Sequence, residues 1–208
     1  MKTTISLLTL AALTAGSAYG QTTFIFHDGL VTTGTGSVFD NAEGSIQDTI
    51  GGFTLTAEAF LGETSAGTDL NGAADGFGVN AVGGDSSTTR IDNGAGLESI
   101  VFSFDTAGTF QSIDLRYIEE SSNEGLLIFD GGNTYALNTT TAISGADDFT
   151  IGEAFTAGQS ITLTLSGSAG AGENFSLESF TIVVPEPGTY ALLTGLLGLT
   201  AVMIRRRK

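Results

Sequence analysis

Ile161-Thr162-Leu163-Thr164-Leu165 decides the fold. Apolar side chains at every second position with threonine between them are the period of a strand that buries one face and wets the other. A helix would need apolar residues three and four apart. Threonine suits the wet positions, being β-branched yet tolerant of water. The same alternation recurs along the chain. Phe53, Leu55, Ala57 and Ala59 alternate with Thr54, Thr56 and Glu58; Ile100, Phe102 and Phe104 with Val101, Ser103 and Asp105; Ile113, Leu115 and Tyr117 with Asp114 and Arg116. Near the end, Phe175 and Leu177 give way to Phe180, Ile182 and Val184, and that slip of phase predicts a bulge at Glu178-Ser179. Shorter strands are expected at Thr22–Phe26, Ser45–Ile50, Gly76–Val82, Thr88–Asp92, Leu126–Phe129, Thr134–Leu137 and Phe149–Ala154. Turn sequences such as Gly83-Gly84-Asp85, Asp92-Asn93-Gly94 and Gly131-Gly132-Asn133 separate them. Short strands with no intervening helix predict an all-β fold, an antiparallel two-sheet sandwich of jelly-roll-like form. A β-helix would need a fixed repeat, and none is present.

The 208 residues carry 7 Lys+Arg against 23 Asp+Glu, one His and no Cys, a formal net charge of −16. Five of the seven cations lie at the two ends, at Lys2 and Arg205 to Lys208. Between Gln21 and Val184 only Arg90 and Arg116 face 22 acids (all but Glu186), a net charge near −20. Such a polyanion repels phosphate backbones, which excludes nucleic acid as a partner. The absence of cysteine excludes disulfides, thiolate chemistry and the usual structural zinc sites. With 41% hydrophobic residues and 14 Phe, the chain is too apolar for a disordered acidic tail.

The ends differ from the middle. Lys2, the apolar run Ile5 to Leu13 and the small residues through Ala18-Tyr19-Gly20 have the order of a secretory signal peptide over residues 1–20, cut by signal peptidase after Gly20 or Ala18. After a sandwich domain over 21–184, residues 185–208 run from Pro185-Glu186-Pro187 through the uncharged stretch Gly188 to Ile204 into Arg205-Arg206-Arg207-Lys208. That order predicts a single C-terminal transmembrane helix with its basic end retained in the cytoplasm. The two prolines, which disfavour helix at and before themselves, are expected to keep the tripeptide extended and open to a protease.

This C-terminal arrangement resembles the PEP-CTERM sorting signal of bacterial envelope proteins. Pro185, Glu186 and Pro187 match its tripeptide, Gly188-Thr189-Tyr190-Ala191-Leu192-Leu193 the opening of its helix, and Arg205, Arg206 and Arg207 its basic end. The resemblance implies a Gram-negative source and recognition by an exosortase, a membrane-embedded cysteine protease that removes the tail at the cell exterior. A looser resemblance, from Gly76-Phe77-Gly78-Val79 through Ile91-Asp92 to Glu98–Asp105, is to sandwich domains carried by many such proteins. It implies fold and no activity.

Chemistry in the middle segment is sparse. His27, the one imidazole, precedes Asp28-Gly29 and reads as a surface turn residue. Glu119 and Glu120 are neighbours, so on a strand they point to opposite faces and do not make a glycosidase pair. Sugar-stacking aromatics are reduced to Tyr117 and Tyr135. Calcium is the ligand candidate: Asp69, Asn71 and Asp75 place three oxygen-bearing side chains in a glycine-rich loop, with Asp147-Asp148 as a second group. The alternative reading of all these acids is solvated loop charge. These features point to a non-enzymatic, exported envelope or matrix protein with a structural or adhesive role beside exopolysaccharide. A carbohydrate-binding module, with or without calcium, is the alternative, followed by an envelope hydrolase.

Overall fold

The structure, a computed structural model, describes residues 19–26, 42–43, 45–50, 53–64, 68–73, 76–81, 90–94, 96–118, 125–138, 146–166, 173–185 and 187–206. The expected signal peptide through Ala18, His27 and Glu119-Glu120 lie outside them. The described strands are β1 (Tyr19–Ile25), β2 (Ala42–Glu43), β3 (Ser45–Ile50), β4 (Phe53–Leu61), β5 (Thr68–Ala73), β6 (Gly76–Ala81), β7 (Ile91–Asp92), β8 (Glu98–Phe104), β9 (Gly108–Arg116), β10 (Gly125–Phe129), β11 (Thr134–Leu137), β12 (Ala146–Phe155), β13 (Ile161–Leu165) and β14 (Asn174–Pro185), followed by helix α1 (Pro187–Arg206).

The strands form two antiparallel sheets. One has the order β12-β9-β14-β6-β5-β2, with β1 and β7 also pairing with β14; the other has the order β11-β10-β13-β8-β4-β3. Gln21–Val184 is one compact unit, separate from the terminal segments. Among the described residues the hydrophobic core, from Phe24 to Val184, falls within it, so this unit carries a core of its own. Alternation predicted the inner faces. Phe53, Leu55, Ala57 and Ala59 are buried from β4, and Ile161, Leu163 and Leu165 from β13. Phe180 lies at the centre, with ring centroids 5.1 Å from Phe24, 5.2 Å from Phe26, 5.2 Å from Phe102 and 5.1 Å from Phe110.

The phase slip in β14 is a bulge. Leu177 pairs with Leu115 and Ser179 with Asp114, leaving Glu178 as the extra residue, so that both Leu177 and Phe180 point inward. A second bulge interrupts β12 between Thr150 and Glu153, where Gly152 takes a φ of +71° that other residues avoid.

Three expectations need correction. The stretch holding Asp69 and Asn71 is not a loop but strand β5, paired along its length with β6 from Thr68↔Ala81 to Ala73↔Gly76. Tyr117 does not continue β9. The strand ends at Arg116, Tyr117 adopts a φ of +63°, and Ile118 is buried instead. The C-terminal helix forms, but no helix among the described residues is long and apolar enough to cross a membrane. The uncharged run Gly188 to Ile204 rises only about 26 Å against a hydrocarbon core of about 30 Å, and it includes three glycines and three threonines. Of the tripeptide, Glu186 lies outside the described residues. Pro185 closes β14 and Pro187 opens α1, at the helix position where a missing N–H costs nothing.

Candidate functional site

Strand pairing gives the sandwich two distinct ends. The Thr23 and Thr181 hydroxyls are 3.0 Å apart and the Phe26 N–H donates to the Glu178 carbonyl at 2.9 Å, so β1 and β14 run antiparallel. Gln21 and Val183 therefore belong to the same end. The β8–β9, β10–β11 and β12–β13 connections, of three to five residues, lie there too. The opposite end holds Leu61, Glu98, Arg116, Leu137, Leu165 and Asn174, from which the longer connections leave. Binding residues concentrate on long loops carried by a rigid scaffold, so this second end is the candidate site.

Both arginines of the sandwich are at that end. The Arg90 guanidinium lies 3.9 Å from the centroid of the Tyr117 ring and donates from Nη1 to Asn174 Oδ1 at 2.7 Å. The left-handed backbone at Tyr117 turns the chain at the end of β9, and a bulky residue is uncommon in that region. One ring face thus carries a cation–π contact. Arg116 grips Glu178 in a fork, Nε to Oε2 at 2.8 Å and Nη2 to Oε1 at 3.1 Å. The bulge supplies that carboxylate. Asp114 is next to it, opposite Asp148 across the β9–β12 pair. Burial, then the Asp148 and Glu178 carboxylates, push the Asp114 carboxyl above its ordinary value, while the Ser179 hydroxyl pulls the other way.

Below these residues, Asp92 and Glu98 are fully buried. Glu98 Oε2 accepts the Asp92 N–H at 2.8 Å, and Asp92 Oδ1 accepts the Gly94 N–H at 2.7 Å. The Thr164 hydroxyl donates to the Glu98 carbonyl at 2.8 Å. These acids fasten the 92–98 connection by its backbone. A signal for Glu98 was present in the sequence, since it shares the parity of Ile100, Phe102 and Phe104 and so had to face the core. The grouping of Arg90, Tyr117 and Asn174 had no such signal.

The residues singled out from sequence do not converge. Asp69 and Asn71 are half-buried on the outer face of β5, opposite the side of Leu70, and Asp75 lies outside the described residues. Asp147 and Asp148 belong to β12 and pair with β9. Among the described residues no group of three or more His, Cys, Asp or Glu is arranged to hold a metal ion. Tyr135 donates to Glu153 Oε2 at 2.7 Å, and its ring meets Phe129 edge to face. Asn133 holds both oxygens of the same carboxylate, so Glu153 ties the edge strand β12 of one sheet to β11 of the other. Of the sorting residues, Pro185 ends β14, Pro187 begins α1 and Arg205 and Arg206 end it, while Glu186 and Arg207 lie outside the described residues. No family model matches the chain, and no curated protein matches it.

Proposed function

We propose that the chain is an exported envelope protein, delivered by its signal peptide and held at the membrane by α1. An exosortase then releases or re-attaches it at the cell surface, where it has a structural or adhesive role beside exopolysaccharide. The observation that carries this reading is the state of α1. Leu196, Leu197, Leu199, Val202, Met203 and Ile204 are between 55% and 65% exposed, and two arginines follow at the helix end. Six such side chains represent on the order of 10 kcal/mol of unrealised burial, which lipid satisfies and water does not. The basic end suits anionic headgroups. The strand order β6-β14-β9-β12 facing β8-β13-β10-β11 supports a jelly-roll-like reading of the sandwich, a scaffold rather than an activity.

The intact mass of the protein recovered from the outside of its producing cells tests this. A species beginning at Tyr19 or Gln21 and ending around Pro185 to Pro187 is expected, with any extra mass reporting an attached group. A species still carrying Arg205 to Lys208 overturns the sorting reading.

A further inference from the structure

Strand β14 is where the sandwich converges. It pairs with β9 along one edge, from Ser176↔Arg116 to Val183↔Thr109. Its other edge meets β7 at Asn174 and Phe175, β6 at Leu177, and β1 through Glu178 and Thr181. Inward, it buries Phe175, Leu177, Phe180, Ile182 and Val184. The Phe180 ring lies within 6 Å of Phe102 and Phe104 of β8, Phe110 of β9, and Phe24 and Phe26. Without β14 the β12-β9 pair parts from β6-β5-β2, β1 and β7 lose the strand they pair with, and the facing sheet loses those five apolar groups from its inner side.

The pairings that do not involve β14 are closer in the chain. Strands β3 and β4, β5 and β6, and β10 and β11 are consecutive. The β4–β8, β8–β13, β10–β13 and β9–β12 pairs join strands with four described strands or fewer between them. By contrast β14 is the last strand and reaches back far. Glu178 binds Arg116 across 62 positions, Asn174 binds Arg90 across 84, and Thr181 meets Thr23 across 158. Closing a loop costs entropy before the contact rewards it, so near pairs form ahead of distant ones. A strand with neighbours on both edges also has no defined place until those neighbours are set.

We infer that β14 closes the sandwich last, docking between β9 and the edge made by β7, β6 and β1, and that the chain stays unlocked while this strand is withheld. Glu178 keys the docking. It is the extra residue that lets both Leu177 and Phe180 face inward, and without it every side chain beyond the bulge changes face. The fork from Arg116 fixes it against β9. This order of assembly needs nothing from the export reading. Under that reading it has a use, because a chain exported N-terminus first does not lock before its last strand has crossed.

Folding and unfolding rates of the full chain in urea test the order. Phe180→Ala should shift the folding equilibrium by about a thousandfold while slowing folding less than about tenfold, the rest appearing as faster unfolding. Leu163→Ala, in β13 of the facing sheet, should slow folding by about tenfold or more. Ile182→Val is a milder change in β14 and carries the same test if Phe180→Ala leaves no folded protein. A β14 variant whose loss of stability falls mainly on the folding rate overturns the inference. A second experiment inserts a protease site between Gly172 and Glu173 of the full chain, cuts it, and separates the two parts in urea. The part ending at Gly172 should unfold without a cooperative transition, a peptide of residues 173–185 should restore that transition, and the same peptide lacking Glu178 should not. The inference falls if the part ending at Gly172 unfolds at the midpoint of the intact chain, if the whole peptide restores nothing, or if the peptide lacking Glu178 works as well.

Discussion

Glu98 holds the backbone of Asp92 through a 2.8 Å hydrogen bond in which both residues are excluded from solvent. Replacing Glu98 by Ala strands that N–H inside the protein and leaves a void, at a cost of about 2–4 kcal/mol. Glu98→Gln keeps an acceptor of the same length and should lose less than half as much. Urea unfolding of the two variants at neutral pH separates the cases. Equal losses would mean that the carboxylate charge, and not the bond to Asp92, holds the connection.

Acid should weaken the sandwich through two identifiable carboxylates. Asp105 Oδ1 accepts the Thr54 N–H at 2.9 Å, and that bond holds its carboxyl below the usual value. The Tyr135 hydroxyl, then Asn133, do the same for Glu153, and Glu153 in turn raises the phenol of Tyr135. A carboxyl lowered by folding adds stability that is fully present above its unfolded value and is lost as pH falls through the folded one. The melting temperature should therefore be flat near neutrality and fall below about pH 4. Asp105→Asn and Glu153→Gln should each shrink that acid-side fall. An unchanged pH profile in both variants would show that these contacts do not persist in solution.

Asp114 works in the opposite sense. Its carboxyl is raised by burial and by the Asp148 and Glu178 carboxylates, so the ionised form strains the folded state, and that strain is relieved as pH falls through the raised value. Asp114→Asn should raise the melting temperature at pH 7 by about 1 °C, after allowance for solvent screening, and should have no such effect at pH 3. Thermal melts at the two pH values decide it.

These predictions rest on features that the sequence disclosed unevenly. Strands β4 and β13 and the Glu178 bulge were legible because alternation is local and each position faces either core or solvent. Strand β5 was not, since Thr68-Asp69-Leu70-Asn71-Gly72-Ala73 has a single large apolar residue and owes its conformation to pairing with β6. Tyr117 kept the parity of Ile113 and Leu115, and nothing in parity announces a left-handed turn. The Arg90–Asn174 bond joins residues 84 positions apart, and composition says nothing about such a contact.

A close backbone approach gives a sharper contrast. A Cβ on Gly78 would lie 2.3–2.4 Å from the backbone of Arg90, whose carbonyl accepts the Val79 N–H at 3.1 Å. Backbone cannot move aside as a flexible side chain does, so Gly78→Ala should cost about 3 kcal/mol or more and release Arg90 from Tyr117. Gly152→Ala meets nothing within 4 Å and strains only its φ of +71°, at about 1–2 kcal/mol. Denaturant midpoints rank the two, and a smaller loss at Gly78 would mean that Arg90 does not cross β6 this closely.

Strand β1 makes the stability of the sandwich depend on where the N-terminus is trimmed. Phe24 of β1 and Phe26 just beyond it enter the core, each about 5 Å from Phe180, and β1 pairs with β14. Cleavage after Ala18 leaves β1 whole, and cleavage after Gly20 removes only its first two residues. Phe24→Ala and Phe180→Ala should each cost about 3–5 kcal/mol. Because the rings touch, the double variant should lose about 1 kcal/mol less than the sum. A chain begun at His27 loses both phenylalanines together with the β1 pairing, and it is expected to be unfolded at 37 °C. If it instead unfolds cooperatively at the midpoint of the chain begun at Gln21, β1 is not part of the folded sandwich and the end-to-end arrangement of β1 and β14 falls with it.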